Sequence, residues 1–291
     1  MIAPFTLHRP NSIGEASSLL SELKGDARIL AGGSELILLL KMGLAEVSHI
    51  VDIKRIPGLT QLDCDAGARR LKIGPLVTHR ELEKSEIVRQ HFPLIVEMEK
   101  QLANVRIRNV GTLAGNLSFA EPHADPGTLL VAHDATVKLT NDKGERVLNL
   151  EDFFVDYYET VLKSDELLAE ITIPKPAENS FGAYLRFCPG ERPMVGVAFL
   201  AEWNNGVCAK PRLVLGCVGP KPLRASAAEA WITGKSRAEI QAGADDLGVQ
   251  AAQVSEPLED IWGSIEYKKQ IVKTLVARAI LSATQQPAGH G

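Results

Sequence analysis

The stretch Arg106-Ile107-Arg108-Asn109-Val110-Gly111-Thr112-Leu113-Ala114-Gly115-Asn116-Leu117-Ser118 constrains this chain more than any other. It opens with two arginines and an asparagine, then sets two glycines and a threonine among small residues. No helix or strand period runs through it for long. Gly111 and Gly115 can both take positive φ, and neither carries a Cβ that would hold a ligand off the backbone. Successive main-chain N–H groups in such a turn form a concavity that suits an anion. The chain continues from Ser118 to Asp125, ending in a carboxylate able to accept a hydrogen bond from a sugar hydroxyl. Taken alone, the stretch reads equally well as a long surface loop with glycine turns.

A second stretch has related chemistry. Arg28-Ile29-Leu30-Ala31 reads as a short buried strand, Gly32-Gly33-Ser34-Glu35 follows at once, and Leu36 to Met42 reads as a helix. A helix N-terminus leaves N–H groups unpaired, and two glycines let a phosphate approach them. Ser34 can cap that helix or donate to a ligand. The pattern is neither G-x-G-x-x-G nor a phosphate loop ending in Gly-Lys-Ser/Thr. A plain helix cap explains it as well.

The remaining segments frame these two. Ser12 and Glu15 make a capping box for a helix with Ile13, Ala16, Leu19, Leu20 and Leu23 on one face, stopped by Gly25. Ser48 to Ile53 is a strand, and runs at 59–62 and 69–73 form a hairpin about Asp65-Ala66-Gly67. Thr78 and Glu81 make another capping box, and Pro93 opens a helix running to about Leu102. Residues 127–133 read as a small apolar helix, 135–140 and 146–150 as a hairpin, and 166–173 as a strand. Pro174-Lys175-Pro176 marks the best domain boundary. Beyond it come strands at 182–187, 195–203 and 212–218, amphipathic helices at about 224–232 and 237–247, and a last helix at about 264–283. The tail from Gln285 reads as frayed.

Several function classes are excluded or disfavoured. A length of 291 residues suits two or three domains. A net charge of -4 disfavours a nucleic-acid partner. No apolar run is long enough for a membrane span, and the N-terminus lacks a signal-peptide pattern, so a cytoplasmic location is expected. Cys64, Cys188, Cys208 and Cys217 are scattered without a C-x-x-C, so no metal or iron–sulfur site is expected on this chain. His79, His123 and His133 lack a ligand spacing. His123 reads as an exposed loop residue and Glu121 as a solvated carboxylate. No catalytic acid or base is assigned.

Taken together, the pieces resemble the FAD-binding middle subunit of the xanthine dehydrogenase and carbon monoxide dehydrogenase family of molybdenum hydroxylases. The resemblance rests on Ile29 to Leu36, on Ile107 to Asn116, on Ala120 to Asp125, and on Gly216 to Arg224 with the helix from Tyr267 to Ala279. It implies an α+β fold: a two-lobed FAD-binding α/β domain (PCMH-type), with lobes at 1–58 and 59–175, then an α+β C-terminal domain of the CO dehydrogenase flavoprotein type at 176–291. It also implies the FAD contacts. Ile29, Leu30, Ala31, Gly32, Gly33, Ser34, Glu35 and Leu36 form the first loop, and Thr112, Leu113, Ala114, Gly115 and Asn116 the second. Asp125 falls at an acidic contact, Leu102 and Leu168 at apolar ones, and Arg186 at a nearby basic one. The implied partners are a large subunit with a molybdopterin-type molybdenum cofactor and a small subunit with 2Fe-2S clusters, in a dimer of heterotrimers. Electrons would pass from those clusters through FAD to an external acceptor.

Two departures stand out. Ala114 replaces a family glycine, and its methyl needs a negative φ. The segment from Phe187 to Met194 lacks the family's basic-then-acidic run. Two alternatives follow: a flavin-free scaffold bridging the partners, and a stand-alone flavin oxidase. The latter needs a catalytic constellation, and none is found in the sequence.

Overall fold

The computed structural model describes residues 2–65 and 69–285. The first unit comprises β1 (Thr6–His8), α1 (Ile13–Glu22), β2 (Ala27–Leu30), α2 (Leu36–Met42) and β3 (His49–Asp52). Its parallel sheet has the order β1-β3-β2, with β3 between the other two. Ser12 caps α1 by accepting the Glu15 N–H at 3.1 Å, while Glu15 reaches the Asn11 N–H at 2.7 Å. Ala16 and Leu20 of that helix pack on Val51 and Ile53. Ligands in parallel α/β sheets gather beyond the carboxyl ends of the strands, and Gly32-Gly33 lies just beyond that end of β2.

The second unit comprises β4 (Leu62–Asp65), β5 (Arg70–Ile73), α3 (His79–Lys84), α4 (Glu86–His91), α5 (Pro93–Gln101), α6 (Val105–Arg108), α7 (Leu113–Phe119), α8 (Asp125–Ala132), β6 (Thr136–Asn141), β7 (Gly144–Asn149), β8 (Phe154–Asp156), β9 (Glu159–Thr160) and β10 (Leu167–Pro174). Its five-stranded antiparallel sheet has the order β4-β5-β10-β6-β7. The first hairpin begins at Leu62, with Leu62 opposite Ile73, rather than at Leu59. Leu59 instead packs in the core of the first unit, and the turn at 66–68 lies outside the described residues. Thr78 and Glu81 complete the capping box of α3, and Pro93 opens α5.

The third unit comprises β11 (Ser180–Phe187), β12 (Val195–Asn204), β13 (Val207–Gly216), β14 (Leu223–Arg224), α9 (Ser226–Ile232), α10 (Arg237–Ala242), α11 (Ala244–Val254) and α12 (Ile265–Gln285). The four strands pair antiparallel in chain order. Both faces of this sheet are covered. Phe181, Val197, Phe199 and Leu215 join Val272, Val276 and Ile280 of α12 in one core. Tyr184, Ala198, Leu200 and Val214 face the other way, into the core of the second unit. Such double burial explains strands that read as continuous apolar runs rather than alternating ones. The helix expected over 237–247 is two helices, broken at Gly243, where any Cβ would meet the Trp231 ring. The tail from 286 lies outside the described residues.

Candidate functional site

The second glycine stretch is not the irregular loop its composition indicates. It is a helix–turn–helix: α6 ends at Arg108, a turn carries Asn109 to Gly111, and α7 starts at Leu113. Ile107 O accepts the Gly111 N–H at 2.7 Å and closes that turn. Thr112 is the N-cap, its hydroxyl accepting the Gly115 N–H at 3.0 Å. Neither Gly111 nor Gly115 takes positive φ. Their value lies in the missing side chain: a Cβ on Gly115 would lie 2.9 Å from Thr112 Oγ1, and one on Gly111 3.1 Å from Ile107 O. Ala114 lies in the first turn of α7 at ordinary helical φ, its methyl buried in the core. The alanine therefore brings no backbone strain.

The first stretch does need left-handed backbone, at Gly33 (φ +80°). Glu35, not Ser34, is the N-cap of α2, and it makes no side-chain capping bond. Among the described residues the main-chain N–H groups of Gly33, Ser34, Glu35 and Leu36 have no protein partner. They are the orphan donors that any helix start leaves.

The two stretches touch. A Cβ built on Gly32 would overlap the Val110 carbonyl and lie 2.9 Å from Gly111 Cα. Backbone meets backbone here, so no side chain fits at position 32 without parting the two loops. Beside this contact opens a cleft of about 750 Å³. That volume lies within the range of small-molecule and cofactor sites, roughly 300–1,000 Å³.

Most of the residues singled out in the sequence meet at this cleft. Ile29, Ala31, Gly32, Gly33, Ser34, Glu35 and Leu36 line it from the first unit. Leu102, Thr112, Ala114, Gly115, Asn116, Asp125 and Leu168 line it from the second. Leu30 and Leu113 are turned away: Leu30 packs near Leu40 and Ile50, and Leu113 is 1% exposed in the core of the second unit. Arg186 stands behind the wall, donating to Asp125 Oδ2 at 2.6 Å, while Tyr184 Oη donates to Oδ1 at 2.6 Å. Burial pushes the Asp125 carboxyl above the usual carboxylate range, opposed by the Arg186 guanidinium and the Tyr184 hydrogen bond. Burial, with Asp125 beside it, raises the Tyr184 phenol well above its ordinary value.

Glu121 and His123 differ from expectation. Glu121 is not a solvated carboxylate: its side chain is 10% exposed, pairs with Arg192 and accepts from Tyr158 Oη at 3.1 Å. Arg192 also reaches Glu35 at 3.4 Å, so one guanidinium from the β11–β12 connection clasps carboxylates of both other units at the cleft. His123 is half-buried, 3.5 Å from Glu121, and its pKa is lowered by burial and by the positive charge of Lys268. The sequence reading also missed His79 and Glu99. His79 lines the cleft, its Nδ1 lying 3.0 Å from Glu99 Oε2, and Glu99 is fully buried. No local spacing reveals this pair, because its members sit on separate helices, α3 and α5. The capping box that starts α3 was the available signal, and it fixes where His79 emerges.

Comparison with known proteins matches two segments of the chain to family domains. Residues 3–176 match the FAD binding domain of molybdopterin dehydrogenases, and residues 186–283 match the C-terminal domain of CO dehydrogenase flavoproteins. The chain is 32% identical to the carbon monoxide dehydrogenase medium chain of Hydrogenophaga pseudoflava, covering 97% of this chain and 98% of that one. It is 31% identical to the caffeine dehydrogenase subunit beta of Pseudomonas sp. (strain CBB1), covering 97% and 95%. Among solved structures, carbon monoxide dehydrogenase from Hydrogenophaga pseudoflava, lacking the Mo-pyranopterin moiety, superposes with a TM-score of 0.93 at 32% identity, over 99% of this chain and 100% of that one. Quinoline 2-oxidoreductase from Pseudomonas putida 86 superposes with a TM-score of 0.90 at 28% identity, over 98% of each chain.

Proposed function

Since the chain belongs to the family of FAD-binding medium subunits of molybdenum hydroxylases, we propose that its cleft holds FAD and relays electrons from iron–sulfur clusters of a small partner subunit to an external acceptor. The electrons would come from substrate oxidised at a molybdopterin-bound molybdenum centre on a large partner subunit. The observation that carries the reading is the side-chain-free contact of Gly32 with Val110 and Gly111 at the wall of the 750 Å³ cleft. So close a contact leaves the open main-chain donors of the first stretch facing a diphosphate without intervening side chains.

The chemistry supplied by bound FAD is the storage and release of electrons. This chain's own residues bind and orient. In this reading the N–H groups of Gly33 to Leu36 hold one side of the diphosphate. Thr112, Ala114, Gly115 and Asn116 hold the other. Asp125, fixed by Tyr184 and Arg186, presents its remaining acceptor capacity to a sugar hydroxyl. Leu102 and Leu168 give an apolar seat that keeps water from the ring. Leu30, Leu113 and Arg186 contribute through the walls behind these groups.

The reading extends to the assembly: a dimer of heterotrimers, cytoplasmic, with lobe boundaries near residues 58 and 175. Among the described residues no helix is long and apolar enough to cross a membrane. The flavin-free scaffold is the less favoured reading, because Ala114 sits in α7 without positive φ and so brings no backbone strain to the second stretch. The test is the visible absorption spectrum of the purified chain and of the assembled complex, with chromatography of released cofactor. One FAD per chain is expected. Absence of flavin from both preparations, even after incubation with FAD, would refute the proposal in favour of the scaffold.

A further inference from the structure

Building on the flavin reading, we propose that His79, held by Glu99, donates a hydrogen bond from Nε2 to the diphosphate of the bound dinucleotide. His79 is the first residue of α3, and its main-chain N–H donates to Gly111 O at 3.0 Å. The ring therefore emerges against the second glycine stretch. Its Nδ1 lies 3.2 and 3.0 Å from the two Glu99 oxygens. Glu99 is 0% exposed, and among the described residues its carboxylate has no other partner.

Glu99 holds Nδ1 and so orients the ring, leaving Nε2 on the edge away from it. Nε2 acts as a donor whenever it carries hydrogen, as it does in the doubly protonated ring and in one of the two neutral tautomers.

That donor has no protein acceptor among the described residues, yet unlike His133 Nε2 it is not sealed in the core. Its position is fixed by the neighbouring ring carbon. A Cβ built on Gly111 would lie 3.3 Å from His79 Cδ2 and 3.4 Å from Ser34 Oγ. The ring edge carrying Cδ2 and Nε2 and the Ser34 hydroxyl thus both lie beside Gly111, where the two glycine stretches meet. A set made of donors suits an oxygen carrying negative charge, which in a dinucleotide is the diphosphate.

The test compares the unaltered full-length chain with the double variant His79→Leu/Glu99→Leu. Replacing both partners by apolar residues avoids leaving a lone buried charge, so the variant is expected to fold, as circular dichroism checks. A second variant, Glu99→Leu with His79→Gln, restores a donor without the charge pair. After removal of flavin, each chain is titrated with FAD and with riboflavin, which has no phosphate. The double variant is expected to bind FAD about 10- to 100-fold more weakly, with riboflavin unaffected and the glutamine variant partly restored. Its bound FAD is also expected to show shifted ³¹P resonances at saturation. Equal FAD affinity with unchanged ³¹P shifts would overturn the role of His79 alone. Equal losses for FAD and riboflavin would also overturn it, by showing a merely structural effect. Failure of the unaltered chain to bind FAD in any assembly state would overturn the flavin reading and this inference together.

Discussion

Gly32→Ala tests the geometry of the cleft most directly. A methyl at position 32 would overlap the Val110 carbonyl and lie 2.9 Å from Gly111 Cα. These are backbone atoms, held by the turn that Ile107 O closes and by the His79 N–H on Gly111 O, so they cannot swing aside. Relief requires the two loops to part by about 1 Å, and such overpacking costs about 1–3 kcal/mol. The same movement stretches the main-chain bonds to a bound diphosphate. Losing two charge-assisted bonds at about 1.5 kcal/mol each lowers FAD affinity roughly 100-fold. Gly33→Ala is the control. It strains a φ of +80° and meets Leu30 Cδ1 at 2.8 Å, but that atom ends a movable side chain. Its cost is about 1–2 kcal/mol, with affinity reduced tenfold or less. The assay is FAD titration by flavin fluorescence, with melting curves with and without FAD. Ligand at a hundredfold excess over Kd stabilises by about 2.7 kcal/mol, and Gly32→Ala should lose most of that stabilisation. Stoichiometric flavin in Gly32→Ala with a Kd within about threefold of the unaltered chain would refute the reasoning, as would Gly33→Ala being the more damaging change.

Other changes report on the surrounding structure. Burial pushes the His133 imidazole down to about 4 from 6.5. The unfolded chain therefore takes up the proton first as pH falls, so this contribution is full above about pH 6.5 and disappears by about pH 4, a loss of ~3 kcal/mol. Urea unfolding at pH 7 and 4.5 should show a smaller pH dependence for His133→Leu than for the unaltered chain. Glu229, 7% exposed, accepts from the Leu213 N–H at 2.8 Å and from Arg224 Nε at 3.1 Å. Glu229→Ala should cost about 2–4 kcal/mol in denaturant unfolding by leaving the Leu213 N–H unpaired and taking from Arg224 its nearer carboxylate, with Glu151 at 3.5 Å remaining. Lys268, 2% exposed on α12, holds Asp260 and Leu258 O, each at 2.7 Å. Lys268→Met should leave α12 helical by circular dichroism while speeding amide exchange across residues 257–264.

Much of this was legible because local chemistry and tertiary outcome agree. Ser12, Thr78 and Pro93 mark helix starts by their own hydrogen-bonding or φ preference, and the structure uses all three. Glycine composition was informative and its mechanism was not. Gly111 and Gly115 read as turn residues free to take positive φ, whereas the structure uses their lack of Cβ inside and beside helices. Composition cannot separate those two uses, since both need the same residue. Glu121 read as solvated because the partners that bury it, Arg192 and Tyr158, are remote in sequence. The Glu99 partnership of His79 was hidden for the same reason.

The Arg192 clasp has a kinetic consequence. Its guanidinium side chain is 47% exposed, and ion pairs in such settings are worth about 1 kcal/mol or less, under twice the thermal energy. A latch that weak is undone by ordinary fluctuations, leaving an unlatched population on the order of ten per cent at any instant. Salt screens the attraction and enlarges that population. Cofactor exchange should therefore quicken with ionic strength, governed at this edge by a bond that thermal motion breaks rather than by the packed loops beneath it.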